Sequence, residues 1–301
     1  MSDFINNHLG EFAALLTAFF WTVTALVFES AAQRIGTLAV NIFRLVIGFA
    51  FLSIYNLITR KLILPVDASL HNWIWLVISG LVGFTFGDLC LLKSYTIIGS
   101  RFSMLIMTLV PPVTALFSWI MIGEKLRLLH LFGMVLTFSG IAIAIFSREG
   151  KGERLSLKLA PPGILFAVGG AVGQALGLVL SKIGMGDYDP FAATQIRVIA
   201  GTAGFIVLIT LMRRWGSVIQ GAGNTGGVTL TALGSFFGPF LGVSFSLIAI
   251  KLTEAGIAST IMALVPVLII PPAVLFYKQK VTAAEITGAI ISVAGVAVFF
   301  M

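Results

Sequence analysis

A handful of ionisable and backbone-breaking residues stand inside long apolar runs, and their chemistry comes first. Asp88 lies near the middle of FTFGDLCLLKSY. A lone carboxylate at that depth costs several kcal/mol or takes up a proton. Two readings stand: an ion pair with Arg44, Lys93 or Arg197, or a carboxylate whose protonation couples proton flux to a substrate. Arg44 (NIFRLVIGF) and Arg197 (TQIRVIAGT) stand about two turns into their runs, near enough to an interface to snorkel, with structural pairing as their expected role. Glu285 falls in the first turn of the last run, where an acid complements the helix dipole, and Glu29 ends the first run at an interface.

Prolines supply the second signal. Pro111-Pro112 interrupt one run, and Pro266 with Pro271-Pro272 interrupt another. A proline frees a carbonyl about one turn earlier, which in lipid is tolerated only where protein or a water-lined cavity satisfies it. Ser103, Met107, Thr108, Ser259 and Met262 lie one or two turns before these breaks and are candidate cavity-lining residues, with Pro111 and Pro266 themselves. Trp21 and Gln174, midway along their runs, are candidates for stacking on or hydrogen-bonding a substrate, whereas Tyr95 and Trp119 read as interface or packing residues.

The elements that must position these residues follow from composition. Hydrophobic residues make up 58% of the 301 and charged residues 10%, against roughly 45–50% and about 25% in soluble domains. The apolar content falls in stretches of bilayer-spanning length, near 11–30, 38–58, 73–96, 102–122, 128–147, 162–182, 190–212, 228–250, 256–276 and 282–301. The chain therefore reads as an all-α polytopic membrane protein of ten transmembrane helices. The first ten residues hold no Lys or Arg, so the first run reads as a span rather than a cleaved signal. Net charge is +7, but the Lys and Arg residues sit singly or in pairs at span ends, and no basic face serves nucleic acid.

The long connection 148–161 divides the chain, and the two parts are self-similar. At an offset of 155, MTLVP (107–111) falls on MALVP (262–266), Lys125 on Lys280, Gly133 on Gly288 and Gly140 on Gly295. At an offset of 153, Gly10 falls on Gly163, Trp21 on Gln174, Arg44 on Arg197 and Gly48 on Gly201. Repeats 1–147 and 162–301 hold five spans each. An odd number inverts the second copy in the membrane, the architecture of many secondary transporters, and equivalent breaks at Pro111 and Pro266 then point at the two-fold axis and a binding site. Glycines at four-residue spacing (Gly83 and Gly87; Gly169, Gly173 and Gly177; Gly234, Gly238 and Gly242) mark close-packing helix faces.

Residues 94–143 and 249–298 resemble the second part of the EamA domain of the drug/metabolite transporter superfamily. The matching features are Pro111, Gly123-Glu124-Lys125, Gly133 and Gly140, then Pro266, Lys280, Gly288 and Gly295, with Gln279 where the acid usually stands. Trp21, Arg44 and Arg197 match the front of each domain. The resemblance implies a ten-helix carrier of small organic solutes such as amino acids or related compounds, most often outward, with a cavity between halves. It implies a plasma membrane location and both termini in the cytoplasm.

Other chemistry is refused. GAGNTG (221–226) fits a dinucleotide-loop pattern but follows no strand. His8, His71 and His130 have no metal-ligand spacing, and the lone Cys90 excludes an internal disulfide or multi-cysteine metal site. No Walker A, H-E-x-x-H or G-x-S-x-G motif occurs, so neither a cofactor nor an enzymatic activity is expected. The expected partners are a small-molecule substrate and the lipid bilayer, with protons as a candidate coupling ion and monomer or homodimer open. A membrane-embedded lipid-modifying enzyme and a passive channel are the competing readings. Orientation is in conflict: the connections after odd-numbered spans carry 11 Lys/Arg and the remaining segments 6, which places both termini outside by the positive-inside rule, against the family pattern that is preferred here.

Overall fold

Apolar sequence without a period-two pattern folds as helix wherever the residues are described, namely 2–147, 161–277 and 281–301 of the computed structural model. The connection 148–160 and the Gln279-Lys280 turn lie outside the described residues. The spans are α1 (Leu9–Ile35), α2 (Thr37–Arg60), α3 (Leu70–Leu91), α4 (Val110–Ile122), α5 (Leu128–Ser147), α6 (Pro161–Met185), α7 (Pro190–Leu211), α8 (Thr225–Leu252), α9 (Ala255–Pro272) and α10 (Ala283–Phe300). Eight of them are long and apolar enough to cross a membrane; α4 and α5 carry the two shorter apolar segments. The protein is a multi-pass membrane protein. Local chemistry sets the ends: Asp189 caps α7 by accepting from Ala192 N at 2.9 Å, and Thr282 with Glu285 forms a capping box on α10.

Two departures from regular helix recur at the repeat offset. Residues Leu81–Gly87 of α3 and Phe236–Gly242 of α8 each form a π-helical turn, and the two are 155 positions apart. The chain also breaks just before α4, where Leu109 N donates to Ile106 O at 3.0 Å, and at the matching point of α9, where Leu264 N donates to Ile261 O at 3.1 Å. Pro111 and Pro266 stand in the opening turn just past these breaks, and each lacks the N–H that would bond the carbonyl about one turn earlier, so the breaks fall where the prolines end the preceding helix. Helical backbone also runs on from α3 to Met107, yet Ser94 and Ser103 hydroxyls bond at 2.7 Å. Nine residues of straight helix would span ~13.5 Å, so the chain folds back between them and returns as the approach to α4.

The halves are packed into each other rather than side by side. α1 lies on α8 and α3 on α6, α2 faces α7, α4 faces α9, and α5 faces α10. Each contact has its image. Gly48 meets Pro239 as Gly201 meets Phe84, and a Cβ on Gly133 would touch the Gly295 carbonyl while one on Gly140 would touch the Gly288 carbonyl. Exchange of equivalent partners along antiparallel helices is the mark of a two-fold axis between inverted copies. Thr137 and its equivalent Ser292 sit on that axis, the Ser292 hydroxyl 3.3 Å from the Thr137 carbonyl.

Candidate functional site

The site is assembled by bare backbone. A Cβ on Gly177 would stand 2.8 Å from Gly83 Cα, and one on Gly173 2.9 Å from Gly87 Cα, so α3 and α6 touch along their glycines. Short side chains beside the seam can therefore meet. Gln174 Nε2 donates to Asp88 Oδ1 at 2.8 Å and reaches the Gly83 carbonyl at 3.4 Å. Asp88, the residue that follows the π turn, accepts at Oδ2 from Arg44 Nη2 on α2. π turns recur at functional sites because they re-aim the side chains around them. The equivalent seam is built differently: Gly238 and Gly242 of α8 receive the Thr24 and Trp21 side chains of α1, and Val243 occupies the position of Asp88.

Arg197 completes the cluster from α7. Its guanidinium lies over the Phe84 ring, 4.8 Å from the centroid, and packs against Gly83. The residue is 5% exposed. It makes no hydrogen bond or close ion pair among the described residues, and its Nε is buried without an acceptor, as is the Nε of Arg44. A cation over an aromatic face gains about 0.5–2 kcal/mol, whereas desolvating an ion in a protein costs several kcal/mol. Phe84 alone does not balance that cost. Arg44 turns to Asp88, in the structural pairing expected of it, whereas Arg197 has no such pair and is buried in the interior.

The remaining candidates lie elsewhere. Lys93 is exposed, being roughly 140° round the helix from Asp88. The Ser103 hydroxyl is taken by Ser94, and the Ser259 hydroxyl donates to Gly256 O at 3.0 Å. Met262 is in the apolar core with Ala14 and Ala18, and Trp21 packs at its edge. Met107, Thr108 and Pro266 are half-buried at the helix breaks, and Pro111 is buried. The polar cluster is a product of α2, α3, α6 and α7, so the break residues do not build it. Two surface hollows, one at Pro161–Val168 and one at Arg34, Ser217 and Asn224, include none of the candidates.

Residues 8–146 and 161–301 each match the EamA-like transporter family. This chain belongs to that family. EamA is a transporter family rather than an enzyme family. A Bacillus subtilis (strain 168) protein described as the uncharacterized transporter YvbV is 25% identical over 189 residues, 62% of this chain and 58% of that protein; the chain thus matches about three fifths of that relative's length. A crystal structure superposes with a TM-score of 0.79 at 20% identity, over 96% of this chain and 95% of that one, which speaks for the fold alone.

One end of this EamA chain carries a second polar assembly. Lys182 at the end of α6 pairs with Glu124 at 2.5 Å and donates to the Thr253 carbonyl at 2.7 Å. Glu124 also accepts from Ala255 N, and the Thr253 hydroxyl donates to Glu11, each at 2.9 Å. Spans α1, α6 and α9 and the turn after α4 are tied together there. Sequence reasoning missed this bridge because acids and lysines at span ends look solvent-facing; the Gly123-Glu124-Lys125 turn was its only legible sign. Glu124→Gln is expected to lose the charge-assisted bonds, lowering stability by about 1.5–3 kcal/mol, read by thermal unfolding against wild type.

Beside it, Arg60 pairs with Asp67, and the Tyr188 hydroxyl donates to Asp67 Oδ1 at 2.9 Å, joining the loop before α3 to the loop before α7. Burial above all, then the Asp67 carboxylate, pushes the Tyr188 hydroxyl up to about 12, against the opposing pull of Arg60. The folded protein holds this proton after an unfolded chain releases its own near 10.0, so the stability it brings is whole below pH 10 and falls away between pH 10 and about 12. Tyr188→Phe is expected to show a flatter decline over that window in thermal melts.

Proposed function

We propose that this chain is a secondary carrier of a small organic metabolite, in the class of amino acids and related compounds, working outward across a plasma membrane by alternating access between its inverted halves. The observation that carries the reading is the position of the polar cluster. Arg44 and Arg197 are repeat equivalents, one from each half, and they converge on Asp88 and Gln174 at the seam where a rocking motion of the halves would expose them in turn. The terminus-proximal bridge through Glu124 and Lys182 serves in this reading as one gate. In this reading both termini are cytoplasmic, as the family resemblance implies. Partnership with Arg44 supports Asp88 as an ion-pair residue rather than as the proton-coupling site.

The test is counterflow. The purified protein is reconstituted into liposomes loaded with pooled amino acids, nucleosides or cationic drugs, and uptake of labelled members of each pool is followed. Saturable, load-dependent uptake from at least one pool is expected. No movement of any pool overturns the carrier reading for these classes, and flux that neither saturates nor depends on internal load makes the protein a channel.

A further inference from the structure

Within the proposed carrier, we infer that Arg197 is the anion-binding group of the site and that the solute it takes carries a carboxylate. The cluster holds two guanidinium groups and one carboxylate, so it has an excess positive charge in a region that disfavours charge. Asp88 is already occupied on both oxygens, by Arg44 and by Gln174. Arg197 is left with its full donor fork and 5% exposure, its Nε buried and without an acceptor. Buried polar groups are almost always satisfied, so a buried guanidinium without an acceptor is a place where an incoming anion gains the most. The planar fork of a guanidinium matches a carboxylate with two parallel bonds. Phe84 fixes the plane of the group from one side, and the guanidinium lies against Gly83 beside the α3–α6 seam.

The inference rests on the carrier reading only for its biological meaning; binding is testable without transport. Full-length protein in lipid nanodiscs is melted in the presence of three carboxylates and their own amides: propionate and propionamide, succinate and succinamide, L-phenylalanine and L-phenylalaninamide. At least one carboxylate is expected to raise the melting temperature by about 2–4 °C at saturating concentration while its amide does not. Arg197→Met is expected to abolish that shift and Arg197→Lys to retain part of it, since the lysine keeps the charge but loses the fork. Equal shifts from carboxylate and amide, an undiminished shift in Arg197→Met, or no shift from any carboxylate overturns the assignment. An unfolded Arg197→Met sample leaves the wild-type carboxylate-against-amide comparison and Arg197→Lys to decide. Counterflow of cationic solutes alone also overturns it and leaves the carrier standing; a carboxylate shift in a protein that shows no counterflow sinks the carrier and leaves the anion site.

Discussion

Asp88→Ala is expected to be the most damaging single change in the polar cluster, costing about 3–5 kcal/mol of stability and abolishing any transport activity. Removing the carboxylate leaves the half-buried Arg44 and the buried Arg197 with no counter-charge, and Gln174 loses its shorter acceptor. The loss is therefore larger than the worth of the pair itself. Replacing both partners separates these quantities: Asp88→Leu with Arg44→Leu is expected to recover most of the stability, because an apolar pair in place of an ion pair is often neutral or better. A double-mutant cycle by thermal or SDS unfolding measures it. Additive losses at Asp88 and Arg44 would show that the two side chains are not coupled.

Gly140→Leu is expected to disrupt the contact between α5 and α10 by about 3 kcal/mol or more. A Cβ at Gly140 would stand 2.4 Å from Ser292 N and 2.5 Å from the Gly288 carbonyl, and one at Gly288 would stand 2.6 Å from Ala144 N and from the Gly140 carbonyl. These are backbone atoms, which cannot turn aside as a side chain would, so the helices must separate. Because the two glycines face each other in one contact between α5 and α10, the separation forced by the first substitution is already available to the second. Gly140→Ala and Gly288→Ala are thus expected to be strongly non-additive, with the double variant little worse than the poorer single one. Strict additivity in melting experiments would deny that they share a contact.

What could be read from the residues differs between fold and site for physical reasons. Apolar length marks a span without knowledge of its neighbours, so ten helices were legible from hydropathy. The repeat offset was legible too, and the π turns at Leu81–Gly87 and Phe236–Gly242 obey it. An offset states which residues are equivalent, however, and not which ones touch. That Gly140 meets Gly288, the equivalent of Gly133 two turns away rather than its own equivalent Gly295, follows only once the halves interlock. Asp88, Arg44, Gln174 and Arg197 drew notice as polar residues in apolar runs, but the same depth in sequence leaves Arg44 paired and Arg197 alone, a difference set by α3 carrying the acid where α8 carries Val243. The prolines marked the breaks at Leu109 and Leu264 in the string, but not what packs against them. Lys182 and Glu124 were opaque since a charge at a span end reads as water-facing whether or not a partner awaits it.

Accessibility of position 174 from each side of the membrane tests the central claim most directly. Cys90 is replaced by serine and Gln174 by cysteine, and a membrane-impermeant thiol reagent is applied to sealed vesicles of either orientation. The halves rocking about the Asp88 cluster should expose the new thiol to the reagent from both faces, with modification from each side slowed by a transported solute. Modification from one face only, however long the exposure, would contradict alternating access at this site.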